Sequence, residues 1–226
     1  MPHSKRYQQS LKLINQNKLY SIEEAVALAK KTANTKFDGS LEAHFRLGIN
    51  ASKGEQQVRG AVVLPNGTGK TLKIAAFVSE GKADEAKAAG ADMVGNQEVI
   101  DKIKQTGKID FEVAIATPDM MGKLAPIAKI LGPKGLMPSP KSETITTNLK
   151  KTISELKKGK VNFKNDDTGN VHQTFGKISF PENKLSANLK VLIEAIKKAK
   201  PSTSKGVYLK GLAINATMGP GIKVQI

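Results

Sequence analysis

The stretch from Leu72 to Ala116, LKIAAFVSEGKADEAKAAGADMVGNQEVIDKIKQTGKIDFEVAIA, decides the fold class. It opens on an apolar run, Leu72 to Val78, that reads as a strand. Lys82 to Ala89 reads as a helix stopped by Gly90, and Ala91 to Val94 as a short strand. Asn96 caps a helix that carries Val99, Ile100 and Ile103, and Phe111 to Ala116 is a further apolar strand. Strands alternating with short helices predict a small α/β sheet with helices on its faces.

Downstream, Thr117-Pro118-Asp119 turns into a helix expected from about Met120 to Leu131, with Pro126 in an unusual place inside it. The run Ile130 to Lys141, ILGPKGLMPSPK, follows. Gly132, Gly135, Pro133, Pro138 and Pro140 leave no room for a helix or a central strand, so it is a shaped loop. Lys134 and Lys141 make it basic, and Leu131, Leu136 and Met137 can anchor it on a core. Such a loop is either a functional surface or a well-packed connection. Thr146 to Lys158 is a helix with Leu149, Ile153 and Leu156 on one face, ended by Gly159.

Outside this middle region the rhythm differs. Ser4 to Asn15 reads as a basic helix, and Ser21 to Glu24 as a capping box opening a second one. After a turn at Lys36 to Gly39, Leu41, Ala43, Phe45, Leu47 and Ile49 alternate with Glu42, His44 and Arg46, the pattern of a half-buried strand. Val58 to Leu64 is another strand, and the two are expected to form an antiparallel pair. Beyond Gly159, Lys160 to Lys164 and Val171 to Phe175 read as a hairpin about the turn Asn165 to Asn170. Ser186 to Lys200 is an amphipathic helix closed by Pro201, and Val207 to Ile214 a last strand running into Ala216 to Gly221. The expected architecture joins α+β and α/β. An outer α+β domain is built from both chain ends, residues 1–67 and 159–226, and an α/β domain, 68–158, is inserted. Gly67, Gly69 and Gly159 at the crossings suit a hinge; the alternative is one continuous domain.

Charge narrows the function. The 226 residues hold 36 Lys and Arg against 20 Asp and Glu, a net +16. That excess favours a polyanionic partner. The outer segments carry 21 basic and 9 acidic residues, net +12, and the middle 15 and 11, net +4, so the outer domain is the expected nucleic-acid grip. Aromatics are only 4% and Trp is absent, which disfavours both single-strand stacking platforms and a membrane-anchored amphipathic helix. There is no cysteine, so thiolate metal sites, cysteine nucleophiles and disulfides are excluded, and a reducing cytoplasm suits the chain. His3, His44 and His172 show no metal-pair spacing, and no catalytic set or cofactor is expected. Gly67-Thr-Gly-Lys-Thr71 resembles the end of a phosphate-binding loop, but Leu64 stands where that pattern needs glycine, and a strand rather than a helix is expected to follow. Asp166 or Asp167 with His172 across the hairpin lacks a nucleophile, so turn formation and a polar contact are the simpler roles. Ala216 to Gly221 places a hydroxyl, a flexible apolar side chain and two glycines in one turn, which can meet phosphate or ribose.

A series of motifs runs in order along the chain: Lys36-Phe37, Val58-Arg59-Gly60, Leu64 to Lys70, Ala116 to Asp119, Ile130 to Pro138, Phe163 to Asp166 and Thr217 to Pro220. In them the sequence closely resembles the bacterial large-subunit ribosomal protein L-one family. The resemblance implies two domains, the inserted one Rossmann-like. It implies a non-catalytic, cytoplasmic, ribosome-bound protein, monomeric when free and without a membrane partner. Its partners would be 23S rRNA at the mobile stalk beside the exit site, exit-site tRNA during release of deacylated tRNA, and its own operon mRNA as a repressor. The implied rRNA contacts are Lys36, Phe37, Ser40 and Glu42, then Lys164, Asp166, Thr168 and His172, then Thr217, Met218 and Gly219. Lys36 and Lys164 suit phosphates, and Ser40 and Thr217 suit 2′-hydroxyls. Phe37 suits a sugar or base, or else the core. Glu42 accepts from a base amino group or 2′-hydroxyl, or orients Lys36. Met218 can cover ribose. Lys134 and Lys141 become a secondary RNA or tRNA contact on a structural loop. Where many relatives carry Asp-Pro-Arg-Lys, this chain has Asn50-Ala51-Ser52-Lys53, so a contact from the loop Asn50 to Gln57 loses an arginine and a rigid proline. Two rivals are a nucleotide-dependent enzyme built on Gly67 to Thr71 and a free translational repressor.

Overall fold

A computed structural model describes residues 4–226, apart from the side chains of Glu80 and Lys141. The elements run, in chain order, α1 (Lys5–Lys12), α2 (Ile22–Thr32), β1 (Ser40–Leu47), β2 (Arg59–Val63), β3 (Ile74–Phe77), α3 (Ala83–Ala88), β4 (Met93–Gly95), α4 (Gln97–Thr106) and β5 (Val113–Ala116). Two single turns, α5 (Met121–Leu124) and α6 (Ala128–Leu131), precede α7 (Leu149–Lys157), β6 (Lys160–Lys164), β7 (Asn170–Lys177), α8 (Glu182–Lys198), β8 (Leu209–Ala216) and β9 (Ile222–Val224). The structure is mixed α/β with several sheets. Among the described residues no helix is long and apolar enough to cross a membrane.

The chain divides into two compact units, one of residues 1–69 with 161–226 and one of residues 70–160. In the first, the strands form a sheet of order β7-β1-β8-β9, in which β1 pairs antiparallel with both β7 and β8. The alternation in β1 buries Leu41, Ala43, Phe45 and Leu47. Ala25, Val26 and Ala29 of α2 and Leu185, Leu189, Leu192 and Ile196 of α8 join them in one core. The capping box forms: the Ser21 hydroxyl accepts from Glu24 N–H, and the Glu24 carboxylate accepts from Ser21 N–H. Asn188 of α8, fully buried, donates to the carbonyls of Gly67 and Phe175 at 2.9 and 2.8 Å and accepts from Asn66 N–H at 3.1 Å. Gly67 is thereby fastened to this unit. A Cβ on Gly69 would lie 2.8 Å from Lys177 Cγ, so Gly69 is packed against it too.

In the second unit β4, β3 and β5 form a parallel sheet in that order. Its two faces are separately covered. Ala75 and Phe77 pack with Ile100, Ile103, Leu124 and Leu131, and Ile74, Ala76 and Val78 pack with Ala86, Leu149, Ile153 and Leu156. This is why the strands read as unbroken apolar runs.

Three expectations need correction. β1 does not pair with β2; β2 pairs with β6 in a separate two-stranded sheet. The expected hairpin of β6 and β7 is reduced to a single bridge, Asn165 to Val171, because β7 joins β1 instead. The helix over 120–131 is broken into short turns: Pro126 has no N–H to donate, and the backbone tightens to a 3₁₀ turn at Ala125–Ile127.

Candidate nucleic-acid interface

Helices cover one face of the four-stranded sheet, which leaves the other to polar side chains. The register sorts that outer face into rows. Thr174, Glu42 and Asn215 form one, and His172, His44, Ala213 and Lys223 the next. Asn170, Arg46 and Gly211 form a third.

At one end of the face, the segment before β1 meets the turn after β8. Ser40 and Thr217 are joined through backbone and side chain. Thr217 N–H donates to the Ser40 carbonyl at 3.0 Å. The Thr217 hydroxyl accepts from Ser40 N–H at 2.9 Å and donates to the Ser40 carbonyl at 3.1 Å. That hydroxyl is therefore a clamp first and a ligand contact only through a remaining lone pair. Gly219 N–H closes the turn on the Ala216 carbonyl at 2.7 Å. Met218 occupies the left-handed region at φ 62°, a strained place for its side chain, and is 66% exposed. Arg6 reaches its sulfur at 3.8 Å. Lys36 is exposed, and Phe37 is 56% exposed, which decides against the core alternative for that ring.

The turn between β6 and β7 is organised by Asp166. Its carboxylate accepts from Asn170 N–H at 2.6 Å, Thr168 N–H at 3.0 Å and the Thr168 hydroxyl at 2.8 Å. These bonds, that of Asn170 N–H first, hold the carboxyl well below the usual carboxylate range. Thr168 also accepts from Asn170 Nδ2 at 2.7 Å. His172 Nε2 lies 3.5 Å from Asp166 Oδ2. Lys164 is exposed on β6, in the other sheet.

Reading the chain strand by strand passes over His44. Its Nδ1 is 2.8 Å from Nδ1 of His172, and its Nε2 is 2.6 Å from Asn215 Oδ1 and 4.0 Å from Glu42 Oε2. A polar line thus crosses β8, β1, β7 and the Asp166 turn. The alternation in β1 already turns His44 outward with Glu42 and Arg46. Its partners, on β7 and β8, had no local signal.

In the second unit Lys134 is exposed, at the tip of a loop closed by Leu136 N–H on the Leu131 carbonyl at 3.0 Å, and Leu136 and Met137 pack on the core as expected. The Lys141 side chain lies outside the described residues, as does His3. Gly67 to Thr71 leads into the strand β3 rather than directly into a helix, so it lacks the following helix N-terminus on which a phosphate-binding loop depends. Among the described residues no three His, Asp or Glu side chains converge on a metal position.

A sequence model described as the Ribosomal protein L1p/L10e family matches residues 29–220. The match takes in the segment at Lys36 and Phe37, the Asp166 turn and the turn at Met218. Since it spans most of the chain, the chain belongs to the Ribosomal protein L1p/L10e family.

Proposed function

We propose that the chain is a structural, non-catalytic rRNA-binding protein of the large ribosomal subunit. Family membership supports the general ribosomal RNA-binding role. The finer reading is that it binds 23S rRNA at the mobile stalk near the exit site, takes part in release of deacylated tRNA, and represses its own operon mRNA. The first unit is the outer grip and the second a Rossmann-like insert. The crossings, after Gly69 and at Gly159 with its φ of 105°, serve as the hinge. Lys134 and Lys141 add a secondary RNA or tRNA contact.

One observation carries the reading: Met218 and Phe37 are exposed apolar side chains beside the Ser40–Thr217 clamp, at the end of the sheet face opposite the core of α2 and α8. Lys36 supplies phosphate attraction there, and the fixed Asp166 turn presents Thr168 and His172. Hydroxyl-radical footprinting of the protein on large-subunit rRNA and on its operon transcript tests this. Protection of a similar fold in both RNAs is expected. Protection in neither ends the proposal, and protection of the mRNA alone favours a free repressor.

A further inference from the structure

Of the half of the outer sheet face remote from Met218, this reading assigns only the His172 edge. We propose that this half is a second RNA subsite, which binds the sugar–phosphate backbone of one strand through Arg46, Lys210 and Lys223. The proposal rests on the sheet being the rRNA-binding face and names what its other half contacts.

The shape comes from the register. In the rows His172–His44–Ala213–Lys223 and Asn170–Arg46–Gly211, the β8 positions are alanine and glycine. The middle of the face therefore lacks tall side chains. What results is an open trough of about 660 Å³, bordered by the two histidines and Arg46 on one side and by Lys223 on the other. A low floor lets a chain of sugars approach the sheet backbone.

The charge is one-sided. Among the described residues no Asp or Glu lines the trough; the nearest carboxylates are Asp166, behind His172 and Asn170 and held by the hydrogen bonds of its own turn, and Glu42 in the next row. Arg46, Lys210 and Lys223 are exposed, and among the described residues none forms an ion pair or a side-chain hydrogen bond. Elsewhere in this unit lysines do find carboxylates, as Lys18 does with Glu24 and Lys190 with Glu23.

Lys210 reaches the trough by a departure from regular structure. Opposite β1, Arg46 faces Gly211 and Leu47 faces Leu209, so Lys210 is the extra residue of a β-bulge. Strict alternation would turn it to the core face with Leu212. The bulge re-aims it, and it lines the same trough as Arg46. Three unpaired cations over a low floor match a phosphodiester chain, and the surface is continuous along β1 with Ser40 and Glu42.

The test measures binding of a stalk-region rRNA fragment across a salt series. Arg46→Ala/Lys210→Ala/Lys223→Ala is compared with Arg46→Lys/Lys210→Arg/Lys223→Arg and with Met218→Ala. Each phosphate contact contributes roughly 0.7–0.9 to the slope of log K against log salt. The alanine variant should lose about two units of slope, with an unchanged thermal midpoint, and the charge-keeping variant should keep the wild-type slope. An equal loss in both triple variants would trace the effect to packing and overturn the proposal. If Met218→Ala weakens binding and the alanine triple keeps slope and affinity, this proposal fails while the main reading stands. If neither variant changes binding, both fail.

Discussion

The Thr217 hydroxyl both accepts from and donates to the Ser40 backbone, so its removal leaves Ser40 N–H without that partner. Thr217→Val should therefore lower the free energy of unfolding by about 1 kcal/mol, read by urea denaturation, and weaken RNA binding through a loosened turn. Met218 next to it is exposed, so Met218→Ala should leave stability unchanged and weaken rRNA binding by about 1–2 kcal/mol. Equal stability losses in the two variants would contradict this division of roles. Asp166 adds a pH dependence. Its folded carboxyl titrates below the ordinary value, so the stabilisation is complete above about pH 4 and is lost as the pH falls through the lower folded value. The stability gap between wild type and Asp166→Asn should be constant between about pH 7 and 5 and shrink towards pH 3. A gap that persists at the acid end would place the stabilising group elsewhere. Alternation along one strand makes Glu42, His44 and Arg46 outward-facing, and the resemblance singles out Glu42. It does not reveal that His44 meets His172, 128 residues away, because register is set by tertiary pairing.

Strands and helices with a clear apolar period were legible as elements: β1, β3, α4 and α8 all lie within a few residues of their expected places. Pairing was not. β1 prefers β7 and β8 to the neighbouring β2, because the core between α2 and α8 accepts its apolar face and local sequence carries no trace of that choice. β9 is three residues long, too short to show a period, and Pro126 broke a helix whose apolar spacing looked continuous. Asn188 is a comparable blind spot: an amide in the middle of an amphipathic helix reads as a surface residue. It instead ties the Asn66–Gly67 segment and β7 to α8. Asn188→Leu would leave the buried Phe175 carbonyl, and the half-buried Gly67 carbonyl and Asn66 N–H, without that partner. The expected cost is about 3 kcal/mol or more, measured by denaturation, with helical content retained at low denaturant. A cost below about 1 kcal/mol would mean that water or a shifted loop replaces the amide.

Over the whole molecule, each unit has its own core. The cluster built on β1, α2 and α8 contains no residue of 70–160, and the two clusters on the parallel sheet contain none from outside it. The charge is distributed the same way, since most of the net +16 lies in the outer segments. The clamp at Thr217, the Asp166 turn, the His44–His172 contact and the proposed trough all belong to the first unit. A chain in which residue 69 is joined to 161 by a flexible Gly-Ser linker should therefore fold cooperatively. It should bind the stalk-region rRNA fragment within about tenfold of the full chain, a difference of about 1.4 kcal/mol, with a similar salt slope. Calorimetry and a salt-series titration read both properties. A joined chain that unfolds cooperatively yet binds a hundredfold more weakly would move part of the grip, Lys134 foremost, to the second unit; one that does not fold would mean that the outer core depends on the insert.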